Sequence, residues 1–205
     1  MRLTREQVIN DIRIINEYAQ SNPGNMVAVG VMVLLSIRQP WHGIGNQLAD
    51  VAKHKDKSKY LFGFKLPGYR YLQKHKEQIF AQMMALDTAE DLIDLFIRVP
   101  GLGLAKAGFM VQLCKGLAGC IDSHNCKLYG IPPAALRWDA KLTAKTQTAK
   151  IAAYVTLCDK LGGSVFLWRE WCQFIASHHP KHWNHDANKV SDAHIYYPLE
   201  LSDND

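Results

Sequence analysis

An all-α fold is predicted for this chain, and three observations carry that prediction. Apolar residues recur at spacings of three and four through most of the chain, and no run alternates apolar and polar residues as a half-buried strand does. The proline–glycine pairs Pro23-Gly24, Pro67-Gly68 and Pro100-Gly101 fall where those periodic segments break.

Residues 4–19 set Val8, Ile12, Ile15 and Ala19 on one stripe of a polar helix. Ser21-Asn22-Pro23-Gly24-Asn25 reads as a turn. Residues 26–37 are apolar all round, which predicts a buried central helix ending near Arg38-Gln39-Pro40. A further helix is expected at 44–54. Residues 55–72 carry Tyr60, Phe62, Phe64, Tyr69 and Tyr71, with Gly63, Pro67 and Gly68 between them, and read as an irregular aromatic loop. Helices are expected again at 71–86 and at 89–98, the second with Asp87-Thr88 as its cap and Glu90-Asp91 in its first turn. Pro100-Gly101-Leu102-Gly103 interrupts, and 104–115 resumes as helix. Residues 145–161 and 164–178 are two late helices joined at Gly162-Gly163. The tail from Asp186 ends Ser202-Asp203-Asn204-Asp205 and is expected to fray.

Length and composition bound the class. The chain has 205 residues, 48% of them hydrophobic and 21% charged, which excludes a disordered, collagenous or disulfide-scaffold protein. Cys114, Cys120, Cys126, Cys158 and Cys172 are odd in number and contain no C-x-x-C pair. They lack the spacing of a zinc knuckle, a disulfide framework or a cysteine-held iron–sulfur cluster, and read as reduced thiols of a cytosolic protein. No apolar run follows Met1-Arg2-Leu3-Thr4-Arg5-Glu6, so no secretory signal is read. The longest apolar run, Met26 to Leu35, is roughly half of a membrane span. Twenty-four lysines and arginines against 19 acids give a formal charge of +5, which suits a polyanion without naming one. Its distribution is more informative. Residues 53–76 hold eight basic side chains (Lys53, Lys55, Lys57, Lys59, Lys65, Arg70, Lys74, Lys76) and one acid, Asp56, a local charge of +7. That stretch is expected to touch a phosphate backbone.

The chemistry concentrates in residues 92–125. A helix ending at Val99 meets a Pro-Gly-Leu-Gly turn, and a second helix starts at once. Gly101 and Gly103 free the backbone for positive φ and close approach. The N–H groups of Gly103, Leu104 and Ala105 then open a helix, where an anion such as a nucleic-acid phosphate is favoured. Lys106, one turn in, adds charge. On spacing alone the same turn also suits an αα-hairpin whose glycines serve only packing. Asp122, followed by Ser123-His124-Asn125, has the position of a helix N-cap.

VPGLG-LAKAGF, with Asp122 nineteen residues after Gly103 in the string CIDSHN, resembles the helix-hairpin-helix DNA glycosylase superfamily. Members carry L-P-G-[VIL]-G at the hairpin and an aspartate in a string like V-D-T-H. Leu34-Leu35-Ser36-Ile37-Arg38-Gln39 resembles the family's L-L-S-x-Q segment, and Trp168-Arg169-Glu170-Trp171-Cys172 suits its closing helix loosely. The likeness spans about residues 26–130. It implies a compact two-lobed all-α fold with a helix-hairpin-helix motif at about 89–115. One unit would cover 1–205, with a central lobe at about 26–138. The N-terminal helix at 1–22 and the C-terminal helices at 139–185 would form the second lobe.

The resemblance further implies a DNA base-excision glycosylase acting on double-stranded DNA that contains a damaged or modified base. Such an enzyme extrudes the nucleotide, because the glycosidic bond is unreachable inside the duplex. Asp122 is the expected catalytic carboxylate, stabilising the sugar cation and activating water. Gly101, Gly103, Leu104 and Ala105 are expected to hold DNA phosphate. Arg38, Gln39, Trp41, His42, Tyr69, His124 and Asn125 are expected to line the base pocket or fill the vacated duplex. Bifunctional members place a lysine two residues after the second hairpin glycine, as a Schiff-base nucleophile. Here that position is Ala105. Lys106 follows one residue later, a rotation of about 100° on the helix. A water-using enzyme with Lys106 on phosphate is therefore expected, and a glycosylase/lyase using Lys106 is the alternative. A non-catalytic helix-hairpin-helix DNA-binding module is a further alternative.

His178, His179, His182 and His185 lie near Cys172 and would suit a metal-dependent nuclease. Pro180 divides them and no carboxylate stands at motif spacing, so a solvated loop is expected, with no metal and no cofactor. The expected protein is a cytoplasmic monomer, nucleoid-associated when bound to DNA and without membrane contact.

Overall fold

The computed structural model describes residues 4–37, 44–54 and 56–178. Among them every regular element is helical. The first helix, α1 (Arg5–Ser21), starts at a reciprocal cap: the Gln7 N–H donates to Thr4 Oγ1, and the Thr4 N–H donates to Gln7 Oε1. Its stripe of Val8, Ile12, Ile15 and Ala19 is buried, as the spacing predicts. The turn expected over Ser21–Asn25 shrinks to Asn22 alone, because α2 (Pro23–Leu35) already starts at Pro23. Proline fits a first helical position, where its missing N–H has no intrahelical partner, and Asn22 Oδ1 caps Asn25 N at 2.9 Å.

α2 is the central helix, buried from Met26 to Leu35. It packs against α1, and also against α3 (Ile44–Lys53), α4 (Lys65–Lys74) and α5 (Lys76–Ala85). Two expectations fail here. Residues 55–72 are not one irregular loop: a short 3-10 turn covers Lys57–Lys59, and α4 begins at Lys65. Pro67 is tolerated because it lies in the first turn of α4. Gly68 marks a close approach, since a Cβ there would lie 2.5 Å from the Pro100 carbonyl oxygen and 2.9 Å from Leu34 Cδ2. The helix expected at 71–86 is also two helices, parted at His75 (φ −111°, ψ 15°). Tyr69, Leu72, Ile79 and Met83 nevertheless keep one buried face across the break, which is why the sequence pattern reads as continuous.

The next pair matches expectation closely. α6 (Ala89–Phe96) is capped by Thr88, whose Oγ1 accepts from Asp91 N. α7 (Leu104–Lys115) ends at Gly116 in the left-handed region, φ 70°. Asn16 and Gln20 of α1 donate to the carbonyls of Gln112, Leu113 and Cys114, so side chains of α1 satisfy the end of α7. α8 (Ser123–Tyr129), α9 (Ala144–Lys160) and α10 (Gly163–His178) complete the fold. α9 packs on α6 and α10, and α10 packs on α1.

The buried side chains of these helices form one continuous core. All five cysteines are buried and no disulfide joins them. Among the described residues no helix is long and apolar enough to cross a membrane.

Candidate functional site

Three pieces of chain meet beside the C-terminal end of α2: the first turn of α4, the turn between α6 and α7, and the first turn of α7. The segment 117–122 that leads into α8 packs against α7, α9 and α10. The α6–α7 turn is tightly built. Gly101 holds φ 89°, and a Cβ on it would fall 2.7 Å from Phe64 Cδ2, so a glycine is needed for conformation and space alike. Gly103 is different. Its backbone is extended, a Cβ would meet nothing nearer than Trp138 Cβ at 3.9 Å, and no side chain caps α7. Gly103 and Ala105 are half-buried and Gly101 is exposed, while the Leu104 side chain is in the core. Leu104 is 0% exposed as a whole residue, backbone included, so of the three N–H groups expected to hold phosphate only those of Gly103 and Ala105 belong to accessible residues.

Lys106 does not lean out over this turn as expected. Its Nζ donates to Ser36 Oγ at 2.9 Å, and that hydroxyl donates to the Val33 carbonyl at 2.7 Å. The ammonium lies 5.2 Å from the centre of the Phe109 ring, which packs with Trp171 and Trp168. A second lysine, expected from sequence only as one of the backbone-contacting basic residues of 53–76, occupies the same region. Lys65, on the first turn of α4, is 3% exposed and donates from Nζ to the Leu35 carbonyl at 3.2 Å. Burial and then the Lys106 ammonium push its amine below the ordinary lysine value. Each amine has one acceptor on the last turn of α2, and neither meets a carboxylate within ion-pair distance among the described residues.

Asp122 is placed by partners far away in sequence. Gln112, buried in α7, accepts from Cys120 N at 3.3 Å and donates to the Ser164 carbonyl at 2.8 Å. The buried Tyr154 hydroxyl donates to the Gly119 carbonyl at 2.7 Å and accepts from Ile121 N at 3.1 Å. Close packing accompanies these bonds, since a Cβ on Gly108 would lie 2.6 Å from the Gly119 oxygen. Asp122 then opens α8 as an N-cap: its Oδ1 accepts from Asn125 N, and its own N–H donates to Asn125 Oδ1, both at 3.1 Å. The side chain stays half-buried rather than enclosed. The Cys120 thiol links this carboxylate to Lys106. Burial raises it to about 11, Lys106 draws it down and Asp122 pushes it up, so both charges act on one buried sulfur.

The other expected site residues fare unevenly. Tyr69 is in the core, 6% exposed, with its hydroxyl accepting from Gln73 Nε2. It lies on the α4 face that carries Gly68 and Leu72. Asn125 is likewise buried, and its side chain is engaged in the cap of α8. His124 lies on the first turn of α8, and its side chain is outside the described structure. Arg38, Gln39, Trp41 and His42 lie outside the described residues, as do His179, His182 and His185. Among the described residues no group of three His, Cys, Asp or Glu side chains is arranged to hold a metal.

The basic stretch also divides. Lys57 and Lys65 point inward, Lys57 donating to the His54 carbonyl, whereas Lys53, Lys59, Arg70 and Lys74 are exposed. Phe62 and Phe64 are exposed beside them, at 60% and 41%. A groove of about 560 Å³ between α6 and α9 is lined by Glu90, Asp91 and Asp94, a poor match for phosphate. Of the residues unassigned from sequence, Gln112 had a local signal, as the one polar side chain in the run Gly108–Cys114. Lys65 was legible only as part of the basic stretch 53–76, and Tyr154 had no signal. The chain matches no known protein-family model, no curated protein and no solved structure.

Proposed function

We propose that the chain is a DNA base-excision glycosylase, a helix-hairpin-helix enzyme with the two-lobed fold that its resemblance implies. The observation that carries this reading is the uncapped start of α7, with Lys106 in its first turn and Asp122 acting with Lys106 on the Cys120 thiol. The N–H groups of Gly103 and Ala105 bind a phosphate next to the extruded nucleotide. Asp122 faces the sugar, stabilises positive charge on it as the glycosidic bond breaks, and takes a proton from the attacking water. The exposed aromatic and basic residues of 53–76 lie along the backbone of the duplex.

The test is base release from duplexes that each carry one damaged or modified base. Release by the wild-type chain from at least one duplex is expected. If duplex DNA binds and no abasic site forms on any of them, the chain is a non-catalytic DNA-binding module. Lys106 supplies the second reading, because its amine is turned towards Ser36 rather than out to phosphate. Hydrolysis by water gives no covalent adduct when borohydride is added during turnover. An adduct that disappears in Lys106→Ala assigns attack to that amine and adds strand cleavage to the activity.

The charge distribution gives a separate prediction. Neutralising Lys53, Lys59, Arg70 and Lys74 together should flatten the dependence of log K on log salt by about 0.9 for each phosphate that the protein no longer neutralises. Binding titrations between low and moderate salt measure this, and an unchanged slope makes the four a solvated surface only.

A further inference from the structure

Lys65 is the buried group that the mechanism above leaves unused. The amines of Lys65 and Lys106 stand close enough to act on each other, each with one hydrogen-bond acceptor among the described residues. An ammonium carries three N–H donors, so both retain donors. The C-terminal end of α2 offsets about half an elementary charge, so two protonated amines leave the site positive. Lys65 is buried and Lys106 half-buried, and with no carboxylate in ion-pair distance among the described residues such a pair is unfavourable unless Lys65 gives up its proton or a ligand brings negative charge. Lys65 is 3% exposed, so that ligand must enter the fold, as an extruded base does.

Resting on the excision reading, we propose that Lys65 and Lys106 hold the leaving base and select bases that depart as anions. These are bases with a ring carbonyl oxygen that can carry the charge, such as uracil-type pyrimidines and 8-oxopurines. The glycosidic bond breaks with its electron pair staying on the base. Water adds its oxygen to the sugar carbon, and its proton passes to Asp122. The two amines hydrogen-bond the anionic oxygen until the base takes a proton from solvent and is released. Alkylated bases such as 7-methylguanine and 3-methyladenine carry a positive charge before cleavage and leave neutral. The same two ammonium groups repel them.

The experiment compares single-turnover release from duplexes containing uracil, 5-hydroxymethyluracil, 8-oxoguanine, 7-methylguanine or 3-methyladenine, each relative to its uncatalysed loss. The wild-type acceleration should be at least about 10²-fold greater for the best neutral base than for either methylated base. Lys65→Gln should lower the acceleration on neutral bases by about 10- to 10²-fold and spare or raise it on methylated ones, while Lys65→Arg keeps the preference. The wild-type comparison needs no variant, so it decides even if Lys65→Gln does not fold. Equal accelerations, or release confined to methylated bases, overturn the inference alone. Absence of release from every duplex overturns the excision reading and the inference with it.

Discussion

Asp122→Asn should lower base release by about 10²- to 10⁴-fold while leaving the fold and duplex binding intact. The separation is possible because Asp122 has two jobs that need different chemistry. As the N-cap of α8 it needs one side-chain oxygen to accept from Asn125 N and one backbone N–H to give to Asn125 Oδ1. Asparagine supplies both, and Asn and Asp cap helices about equally well. As the group beside a sugar cation it needs a full negative charge and a site for the proton of water, and an amide offers neither. Single-turnover release and a melting curve of the same preparation measure the two jobs separately. Full activity in Asp122→Asn would reduce Asp122 to its capping role. Equal loss of activity and melting temperature would mean that the substitution acts through folding.

Tyr154→Phe should be the most damaging single-atom change to stability. One hydroxyl serves the Gly119 carbonyl and the Ile121 N–H, and the side chain is almost wholly buried. Removing it leaves the Ile121 N–H without a partner, at about 1–3 kcal/mol, and leaves the Gly119 carbonyl only the Cys158 thiol at 3.8 Å, at up to about as much again. For a chain of this length each kcal/mol lowers the melting temperature by roughly 2–4 °C, so a fall of about 2–24 °C is expected. Burial holds the phenol well above its ordinary value, so the hydroxyl stays a donor at every working pH. The same bonds fix the segment that ends in Asp122, and a displacement of about 1 Å at a reacting group can cost 10²-fold in rate. Base release in the folded fraction should therefore fall as well. A melting temperature within about 2 °C of wild type would show that water replaces the hydroxyl.

Local chemistry accounts for most of the helix boundaries. Thr88 and Gly103 open α6 and α7, Gly116 closes α7 with a positive φ, and Gly162-Gly163 part the last two helices. Asp122 is legible as a cap because its partner, Asn125, is three residues away. The segment 55–72 is misread because Pro67 and Gly68 are ordinary turn residues in sequence. Only the Pro100 carbonyl and Leu34, packed against Gly68, turn them into a helix start and a close approach. Tyr69 reads as an aromatic for stacking, but its neighbours on α4 rotate it into the core.

An all-helical chain, the Pro100–Gly103 turn and the helix that Asp122 opens were all legible in the residues alone. Each rests on backbone propensity and on hydrogen bonds between residues three or four apart. Where the charges go was settled by packing. Lys65 meets Leu35 thirty residues away, Lys106 meets Ser36 seventy away, Gln112 reaches 52 residues to the Ser164 carbonyl, and Tyr154 reaches 35 residues to hold Gly119 before Asp122. Those pairings are set by how α2, α4, α7 and α9 bury their apolar faces, and no local pattern of residues encodes the choice of partner.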